Sequence, residues 1–349
     1  MRSNYRKLGE FIRQVDVRNR DLSVSKLLGV SISKSFIESI ANTVGTDFSN
    51  YKVVHKGQFA YGPVTSRNGE KISVALLEED ECIISSSYIV FEIVDVKKLL
   101  SEYLMLWFGR PEFDRYARYK SHGSVREIFD WDEMCNIYLP IPALEEQRKI
   151  VEAYMIVKER IKLKQKINDN LEAMLMAVFF NIFLSKESPK RSKLGELMTF
   201  SNGKSRPKTN GAIPVYGGNG ILSYTDQYNT ENSVLIGRVG AYCGSVYLEQ
   251  GICWVSDNAI FAKSNISKVE FFDYFLLKRL NLFEHHVGTG QQLLTQEILN
   301  SIEVAKPNIE QVDAFNKKAN SVFKTISANR TEITKLQELS DLLLSRLVG

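Results

Sequence analysis

The densest group of side chains that could bind phosphate lies in one short stretch of the first half of the chain. Its basic members are Arg110, Arg115, Arg118, Lys120 and Arg126. They alternate with Tyr116, Tyr119 and a histidine. Cations interleaved with aromatic rings can follow a phosphate backbone, and arginine suits bidentate contact with guanine. The alternative is a solvated helix face whose cations pair with Glu112, Asp114 and Glu127.

A second basic segment is a polar, turn-rich loop over residues 201–210. Its candidate contact residues are Lys204, Ser205, Arg206 and Lys208. Gly203-Lys204-Ser205 resembles a phosphate-binding loop only superficially, because no glycine stands five residues before Gly203. We interpret the segment as a loop that contacts DNA, with a plain surface loop as the alternative.

Three further positions are candidates for DNA contact. Asn219 lies in a glycine-rich run over residues 214–220, which predicts a tight turn beside a ligand or a purely structural turn. Arg238 interrupts an apolar strand pattern, where an arginine is costly unless it emerges or pairs, and Arg67 is its candidate counterpart in the first half. Gln291 and Gln292 follow a glycine turn and suit adenine edges or helix capping.

Motifs of catalysis are missing from the sequence. It has no Gly-x-Ser-x-Gly, no His-Glu-x-x-His and no Gly-x-Gly-x-x-Gly after a strand. The four cysteines form no Cys-x-x-Cys, and His285-His286 has no ligand at metal-binding spacing. We therefore predict no catalytic residue, no metal site and no cofactor in this chain. A self-contained nuclease or transferase is the alternative, and it would need a carboxylate cluster or a cofactor loop.

The bulk composition is that of an ordinary globular protein with two or three domains. The chain has 349 residues, 44% hydrophobic and 25% charged, with a net charge of only +4. This charge does not by itself indicate a nucleic-acid binder, although it permits local basic patches. No run approaches ~18 apolar residues, so we predict no membrane span and a cytoplasmic protein.

The elements that must position these residues are duplicated. Lys7-Leu8-Gly9-Glu10 recurs as residues 193–196, and Pro142 before one long helical run recurs as Pro307 before another. Strand-like and helix-like runs of similar order lie between each opening tag and each proline. The predicted division is a first globule over 1–142, a long helix over 143–185, a second globule over 186–307 and a second long helix over 308–349.

Both long runs carry a coiled-coil seam. Apolar residues recur at an average of 3.5 positions from Ile150 to Ile182 and from Phe315 to Leu347. The first polar seam positions, Lys164 and Asn329, fall at the same place in the two copies. About 40 residues at ~1.5 Å each give roughly 60 Å of helix. We predict that the two helices pair antiparallel within the chain. The alternatives are packing of each helix on its own globule, and homodimerisation.

The order of parts resembles the specificity (S) subunit of type I restriction-modification systems over nearly the whole length. The resemblance depends on the Lys-Leu-Gly-Glu tags, on residues 139–151 at the start of the first long helix, and on the weaker match at residues 307–311. The stretch 214–220 also resembles that family. The implied fold is α+β: two α/β target recognition domains separated by two long antiparallel coiled-coil helices, with a pseudo-two-fold internal repeat.

The resemblance also implies a function. Each globule would recognise one half of a bipartite, asymmetric site in double-stranded DNA. The helices would set the spacer and dock two methyltransferase (M) subunits, through which restriction (R) subunits join. S-adenosylmethionine would belong to M, and ATP and Mg to R. Because the chain is short, a type IIB specificity subunit is one alternative, and a coiled-coil interaction protein without a DNA role is another.

Overall fold

The chain divides into two compact units that each contain part of both long helices. The computed structural model describes residues 5–39, 45–66, 68–122, 127–184, 190–288 and 290–346. The first unit consists of Met1–Leu163 with Ile333–Gly349, and the second unit consists of Lys164–Glu332.

The first unit contains ten strands, three shorter helices and the start of a 40-residue helix within the described residues. In chain order these are β1 (Tyr5–Lys7), β2 (Ile12–Val15), β3 (Leu28–Val30), β4 (Phe36–Glu38), β5 (Lys52–His55), β6 (Phe59–Tyr61), β7 (Val74–Leu76), β8 (Glu81–Ile84), β9 (Ile89–Ile93), α1 (Ser101–Phe108), α2 (Pro111–Lys120), α3 (Trp131–Cys135), β10 (Tyr138–Pro140) and α4 (Leu144–Phe183).

The second unit begins within α4 and adds eight strands and four α-helices, again within the described residues. They are β11 (Arg191–Lys193), α5 (Leu194–Leu197), β12 (Met198–Asn202), β13 (Ile213–Gly217), β14 (Gly220–Thr225), β15 (Thr230–Gly237), β16 (Val246–Val255), β17 (Ala259–Ser264), α6 (Phe271–Arg279), α7 (Gln296–Ser301), β18 (Glu303–Ala305) and α8 (Ile309–Arg346). The last helix returns to the first unit.

Each unit is built on a sheet covered by one short apolar helix. The first sheet is antiparallel, whereas in the second β13 and β16 pair parallel and the other neighbours pair antiparallel. The first sheet has the order β2–β9–β6–β7, and every residue of β6 is buried. Phe59 and Phe91 stack at 4.9 Å between ring centroids, with the edge of Phe108 from α1 against Phe59 at 5.9 Å. The second sheet has the order β12–β17–β15–β16–β13–β14, and seven residues of α6 are buried against it and its surroundings.

The two sheets share one plan, which confirms the internal repeat. Strands β12–β17–β15–β16 match β2–β9–β6–β7 in order, and the pair β11–β18 matches β1–β10. The tags form equivalent bonds: the amide of Leu8 donates to Ile137 O at 2.8 Å, and that of Leu194 to Ile302 O at 2.9 Å. The units differ in the hairpin that each adds to this shared plan: the first unit carries β3–β4, and the second carries β13–β14.

The long helices pair antiparallel in both units, as the seam predicts. In the first unit, Val157 and Ile161 of α4 pack with Ile333, Leu336 and Leu343 of α8. In the second unit, the later part of α4 packs with the earlier part of α8, and the rings of Phe179 and Phe315 lie 5.6 Å apart. None of the predicted seam residues within the described part of the chain is exposed; Leu347 lies outside it.

A buried amide on each long helix holds the N-terminus of the short helix in the same unit. The amide N–H of Leu100, just before α1, donates to Gln147 Oε1 at 2.9 Å. The amide N–H of Phe272 in α6 donates to Asn316 Oδ1, also at 2.9 Å. Gln147 is fully buried and Asn316 nearly so. Because the first N–H groups of a helix lack partners in the helix, these amides satisfy an otherwise unpaired donor.

Candidate nucleic-acid interface

The basic face of α2 is largely neutralised by neighbouring carboxylates. Arg115 Nη2 lies 3.2 Å from Glu112 Oε1, Arg118 pairs with Glu127, and Lys120 Nζ lies 3.2 Å from a Glu133 carboxylate oxygen. Exposed ion pairs of this kind contribute only about 0 to 1 kcal/mol. The cations can therefore exchange a carboxylate for a phosphate, but they present little net positive charge without one.

The sequence-based assignment of Arg110 to a DNA-contacting surface does not fit the structure. Arg110 is 4% exposed, its guanidinium lies 4.4 Å from the ring centre of Trp107, and Nη2 is 3.3 Å from Glu112 Oε2. Burial lowers the pKa of its guanidinium. The stretch had suggested one exposed helix face, but Arg110 precedes α2 and turns inward, so we omit it from the interface. Arg67 and Arg126 lie outside the described residues.

A buried ion pair that the sequence did not suggest fixes the first unit's extra hairpin to α2. Lys34, in the β3–β4 turn, places Nζ 2.5 Å from Asp114 Oδ1 and donates to Ile72 O at 2.7 Å. Asp114 Oδ1 also accepts the amide of Ile72 at 3.1 Å. Burial lowers the pKa of Lys34. The residues are 80 positions apart, so no local pattern connects them, and Asp114 is not available to the α2 arginines.

In the second unit, four of the predicted contact residues lie on loops that meet through backbone hydrogen bonds. The amide of Lys204 donates to Val255 O at 3.0 Å, and that of Arg238 donates to Asn258 O at 3.0 Å. The carbonyl of Gln292 accepts the amide of Gly240 at 3.0 Å. A Cβ on Gly218, next to Asn219, would stand 3.6 Å from Asn258 O and 3.7 Å from Gly237 Cα. Lys204, Asn219, Arg238 and Gln292 thus surround the short turn between β16 and β17.

The rest of the basic loop extends away from this group. The hydroxyl of Thr209 lies 2.8 Å from that of Thr225 and 2.6 Å from Asp226 Oδ1, at the open end of the β13–β14 hairpin. Asn219 lies in the turn at the other end, roughly 14 Å along β13. Ser205 and Arg206 follow Lys204 directly, whereas Lys208 adjoins Thr209. All three side chains are exposed.

The cations of the second unit lack the neutralising partners found on α2. Lys204, Arg206 and Lys208 are exposed and form no ion pair within the described ranges. Arg238 is half-buried, and its Nε is buried without a hydrogen-bond partner. Gln291 is exposed and Gln292 half-buried. This group is therefore more positive locally than the face of α2.

Equivalent hydrogen bonds align the loops of the two units residue by residue. The amide of Gly62 donates to Ser73 O at 3.0 Å, as that of Gly237 donates to Ser245 O at 2.8 Å. The carbonyl of Pro63 accepts a bond of 2.9 Å from Phe129 N, and the carbonyl of Arg238 accepts one of 2.9 Å from Leu294 N.

The counterpart of Arg238 is therefore Pro63. The candidate from the sequence, Arg67, lies outside the described residues. The amide of Thr65 donates to Glu127 O at 2.9 Å, as that of Gly240 donates to Gln292 O. Glu127 thus corresponds to Gln292.

The equivalent place in the first unit is a shallow, open cavity. Its volume is about 350 Å³. It is lined by Val30, Gly62, Pro63, Val64, Asn68, Ser73, Ser87 and Tyr88. The first unit thus presents hydroxyl and amide groups at the place where the second unit presents the guanidinium of Arg238. The sequence analysis did not single out Ser87 and Tyr88. They lie in the turn between β8 and β9, just as Asn258 of the second unit lies in the turn between β16 and β17.

Comparison with known proteins decides the family. Residues 23–173 and 187–343 match the family described as Type I restriction modification DNA specificity domain. The chain belongs to this family. The two matched ranges cover most of both units, and the resemblance inferred from the tags and the helix starts is confirmed.

Similar proteins of the type I specificity family share low identity with this chain. The type I restriction enzyme MjaIX specificity subunit of Methanocaldococcus jannaschii is 23% identical over an alignment of 301 residues, and the match covers 72% of this chain and 68% of that protein. The EcoprrI specificity subunit of Escherichia coli is 25% identical over an alignment of 157 residues, and the match covers 42% of this chain and 39% of that protein. The chain thus spans well under half of one relative and about two thirds of the other.

Solved structures show the same fold. The S subunit of a type I restriction-modification system from M. genitalium matches with a TM-score of 0.59 and 16% identity, over 99% of this chain and 96% of that one. A chain from a study of complex assembly and conformational transition of the type I R-M system matches with a TM-score of 0.50 and 18% identity, over 99% and 97% of the two chains. The α+β fold of a type I specificity subunit is confirmed.

Two further observations concern this type I specificity chain as a whole. Among the residues that the structure describes, no three His, Cys, Asp or Glu side chains are grouped so as to hold a metal ion. The cysteines are unpaired, and burial raises the pKa of the Cys82 and Cys253 thiols to about 12. No helix in the described ranges combines the length and apolar character needed to cross a membrane.

Proposed function

We propose that this chain is the non-catalytic DNA-specificity subunit of a cytoplasmic type I restriction-modification complex. Each unit recognises one half of a bipartite, asymmetric site in double-stranded DNA, and the paired helices set the spacer between the halves. Two M subunits bind the chain, and R subunits join through M. Adenine methylation with S-adenosylmethionine is the work of M, and the reactions that use ATP and Mg are the work of R.

The observation that carries this proposal is one backbone plan with different side chains at equivalent positions. Pro63 corresponds to Arg238 and Glu127 to Gln292 through matching hydrogen bonds. The two sheets keep the same strand order while each unit adds its own hairpin. Two copies of one scaffold with unlike surfaces suit two unlike half-sites, since base readout depends on which side chains reach the grooves.

The charge distribution supports DNA binding that is shared between this chain and the M subunits. The net charge is +4, and the cations of α2 are already paired with Glu112, Glu127 and Glu133. Because phosphate contacts supply most non-specific affinity, the chain alone would bind DNA weakly. Basic surface on the M subunits would complete the binding channel, while the loops around Arg238 select the sequence.

A second apolar stripe on α4 supports docking of M subunits. Ile156, Leu163, Ile167 and Met174 are separated by seven, four and seven residues, and their exposed fractions range from 44% to 61%. This spacing places them on one helix face, apart from the buried seam. Exposed apolar rows are typical of protein interaction sites. A helical partner could bury this stripe in a larger bundle.

The test is to express the chain with its cognate M subunits and to map adenine methylation. We expect one split, asymmetric motif that disappears when the gene for this chain is removed. Replacing residues 1–142 by those of another family member should change one half of the motif and leave the other half intact. The proposal fails if both halves stay the same, or if methylation does not depend on this chain.

A further inference from the structure

We propose that Arg238 recognises a guanine through its major-groove edge, and that this contact is specific to the half-site read by the second unit. The inference depends on the proposed DNA-specificity function and assigns a base to one residue of it. The first unit carries Pro63 at the equivalent position, so its half-site is read without such a contact.

The backbone of Arg238 is held on both sides of the residue. Its amide donates to Asn258 O at 3.0 Å, and its carbonyl accepts Leu294 N at 2.9 Å. Cys243 Sγ lies 3.4 Å from the same carbonyl oxygen. Arg238 directly follows β15, a central strand of the sheet. The side chain therefore starts from a fixed point, which is what a base-specific contact requires.

Close packing before Arg238 fixes that point further. A Cβ on Gly237 would stand 2.1 Å from Tyr242 O and 2.4 Å from Ser245 Oγ, so no larger residue fits there. In the first unit a Cβ on Gly62 would stand 2.7 Å from Ser73 Oγ. The units thus share this tight approach of glycine to serine, and the residue after the glycine is the one that varies.

The partly buried guanidinium of Arg238 needs a hydrogen-bond partner that the described residues do not supply to its Nε. Its Nε is buried without a hydrogen bond, and no carboxylate within the described ranges forms an ion pair with it. A partly desolvated charge is costly unless it is paired and hydrogen-bonded. Arg118, by contrast, pairs with Glu127. A bound ligand with hydrogen-bond acceptor atoms would supply the partner that Arg238 lacks.

The surroundings favour a base edge over a phosphate as that ligand. The exposed side chains of Lys204 and Arg206 on the adjoining loop are free to follow the backbone of a duplex. The backbones of Arg238 and Lys204 both bond to the segment 255–258, Arg238 at Asn258 and Lys204 at Val255. An arginine fork matches the O6 and N7 acceptors of guanine, which neighbour each other in the major groove. We therefore assign the phosphate contacts to Lys204 and Arg206, and the base contact to Arg238.

The experiment uses the complete complex with M subunits and a library of duplexes in which each half-site is randomised in turn. For the wild type we expect a guanine preference at one position of the second half. Arg238→Ala should reduce that preference by about fivefold or more, since a bidentate contact discriminates by about 1 to 3 kcal/mol and 1.4 kcal/mol is tenfold. Arg238→Gln should shift the preference towards adenine. The first half should stay unchanged in both.

Arg206→Gln is the matched control, because it removes an exposed cation from the neighbouring loop. It should weaken binding to all sequences alike and reduce the slope of log K against log salt by about one. If Arg238→Gln does the same and leaves base preference intact, Arg238 contacts phosphate and the inference is wrong.

If Arg238→Ala prevents assembly, Arg238→Gln and Arg238→Lys decide the question. Retention of the full guanine preference by both would also contradict the inference. A wild-type complex without any split motif would instead contradict the proposed function itself.

Discussion

Lys164 Nζ donates a hydrogen bond of 2.9 Å to Asn329 Oδ1. These residues occupy the same seam position in the two copies of the repeat, 165 residues apart. In an antiparallel pair of related helices, the two copies of one position meet at a single level of the pair. Lys164 also lies 2.7 Å from Glu332, and Asn329 donates to Asn168 Oδ1 at 2.8 Å. The polar seam residues thus form one network that specifies the register.

Replacing this network by apolar residues should raise stability and lower specificity. Polar seam residues fix register at a cost in stability. We expect Lys164→Leu, Asn168→Leu, Asn329→Leu and Glu332→Leu together, which replace every member of the network, to increase the free energy of unfolding by about 1 to 2 kcal/mol, measured by urea denaturation with light scattering for oligomeric state. Lys166→Leu, at an exposed position of the same helix, is the control and should give no comparable gain. A loss of stability in this fourfold variant would contradict the role of the network.

Lengthening both long helices together should lengthen the unspecified spacer of the DNA site. One heptad inserted after Lys166 and one after Ile326 keeps the seam in phase and adds about 10 Å of helix. At ~3.4 Å per base pair, the methylated motif should gain about three unspecified base pairs. Methylome sequencing gives the answer directly. Lys166→Ala, which leaves the length unchanged, should keep the original spacer, and an unchanged spacer in the lengthened variant would refute the prediction.

Asp273 should make the second unit less stable as pH rises. It is 1% exposed, neither carboxylate oxygen has a hydrogen-bond partner among the described residues, and burial raises its pKa to about 7. Burial likewise raises the pKa of Glu270 to about 7. Between the unfolded-state value of 3.8 and about 7, the folded chain binds more protons than the unfolded chain. Stability contributed by the protonated form is therefore present at low pH and lost as pH rises through about 7.

The variant Asp273→Asn tests this linkage. Its stability relative to wild type should improve by about 2 to 3 kcal/mol between pH 5 and pH 8, because the linkage acts over the roughly two pH units from 5 to 7 and one unit corresponds to about 1.36 kcal/mol. Denaturant unfolding at both pH values measures the change. Glu338→Gln, at an exposed position of α8, controls for the loss of a carboxyl group. An equal effect of Asp273→Asn at both pH values would exclude a titrating Asp273.

Removing the carboxylates that neutralise α2 should strengthen DNA binding without changing the motif. Glu112→Gln with Glu127→Gln frees Arg115 and Arg118 to contact phosphates. In complex with M, we expect about three- to tenfold tighter binding at ~50 mM salt, and a smaller gain at ~200 mM as counterions compete. Fluorescence anisotropy across a salt series measures it. Glu145→Gln on α4 is the control, and weaker binding by the double variant would argue against phosphate contacts on this face.

The sequence predicted the long helices well because their signal is local and repeated. Every described seam residue from Ile150 to Leu343 avoids full exposure, since a 3.5-residue period leaves one face for burial. Arg110 could not be placed in the same way. It lies one residue before α2, and its burial depends on Trp107 and on packing of the whole unit. The counterpart of Arg238 depends on hydrogen bonds between distant strands, which spacing along the chain does not reveal.

The buried amides of Gln147 and Asn316 have a mechanical consequence. Each is fixed at one angle around its long helix and holds the first turn of the short helix in the same unit. A torque that rolled α4 about its axis would carry Leu100 and α1 with it, and rolling α8 would act on Phe272 and α6. A protein that binds a long helix and rotates it would therefore also reorient the short helix of the same unit, without contacting that short helix.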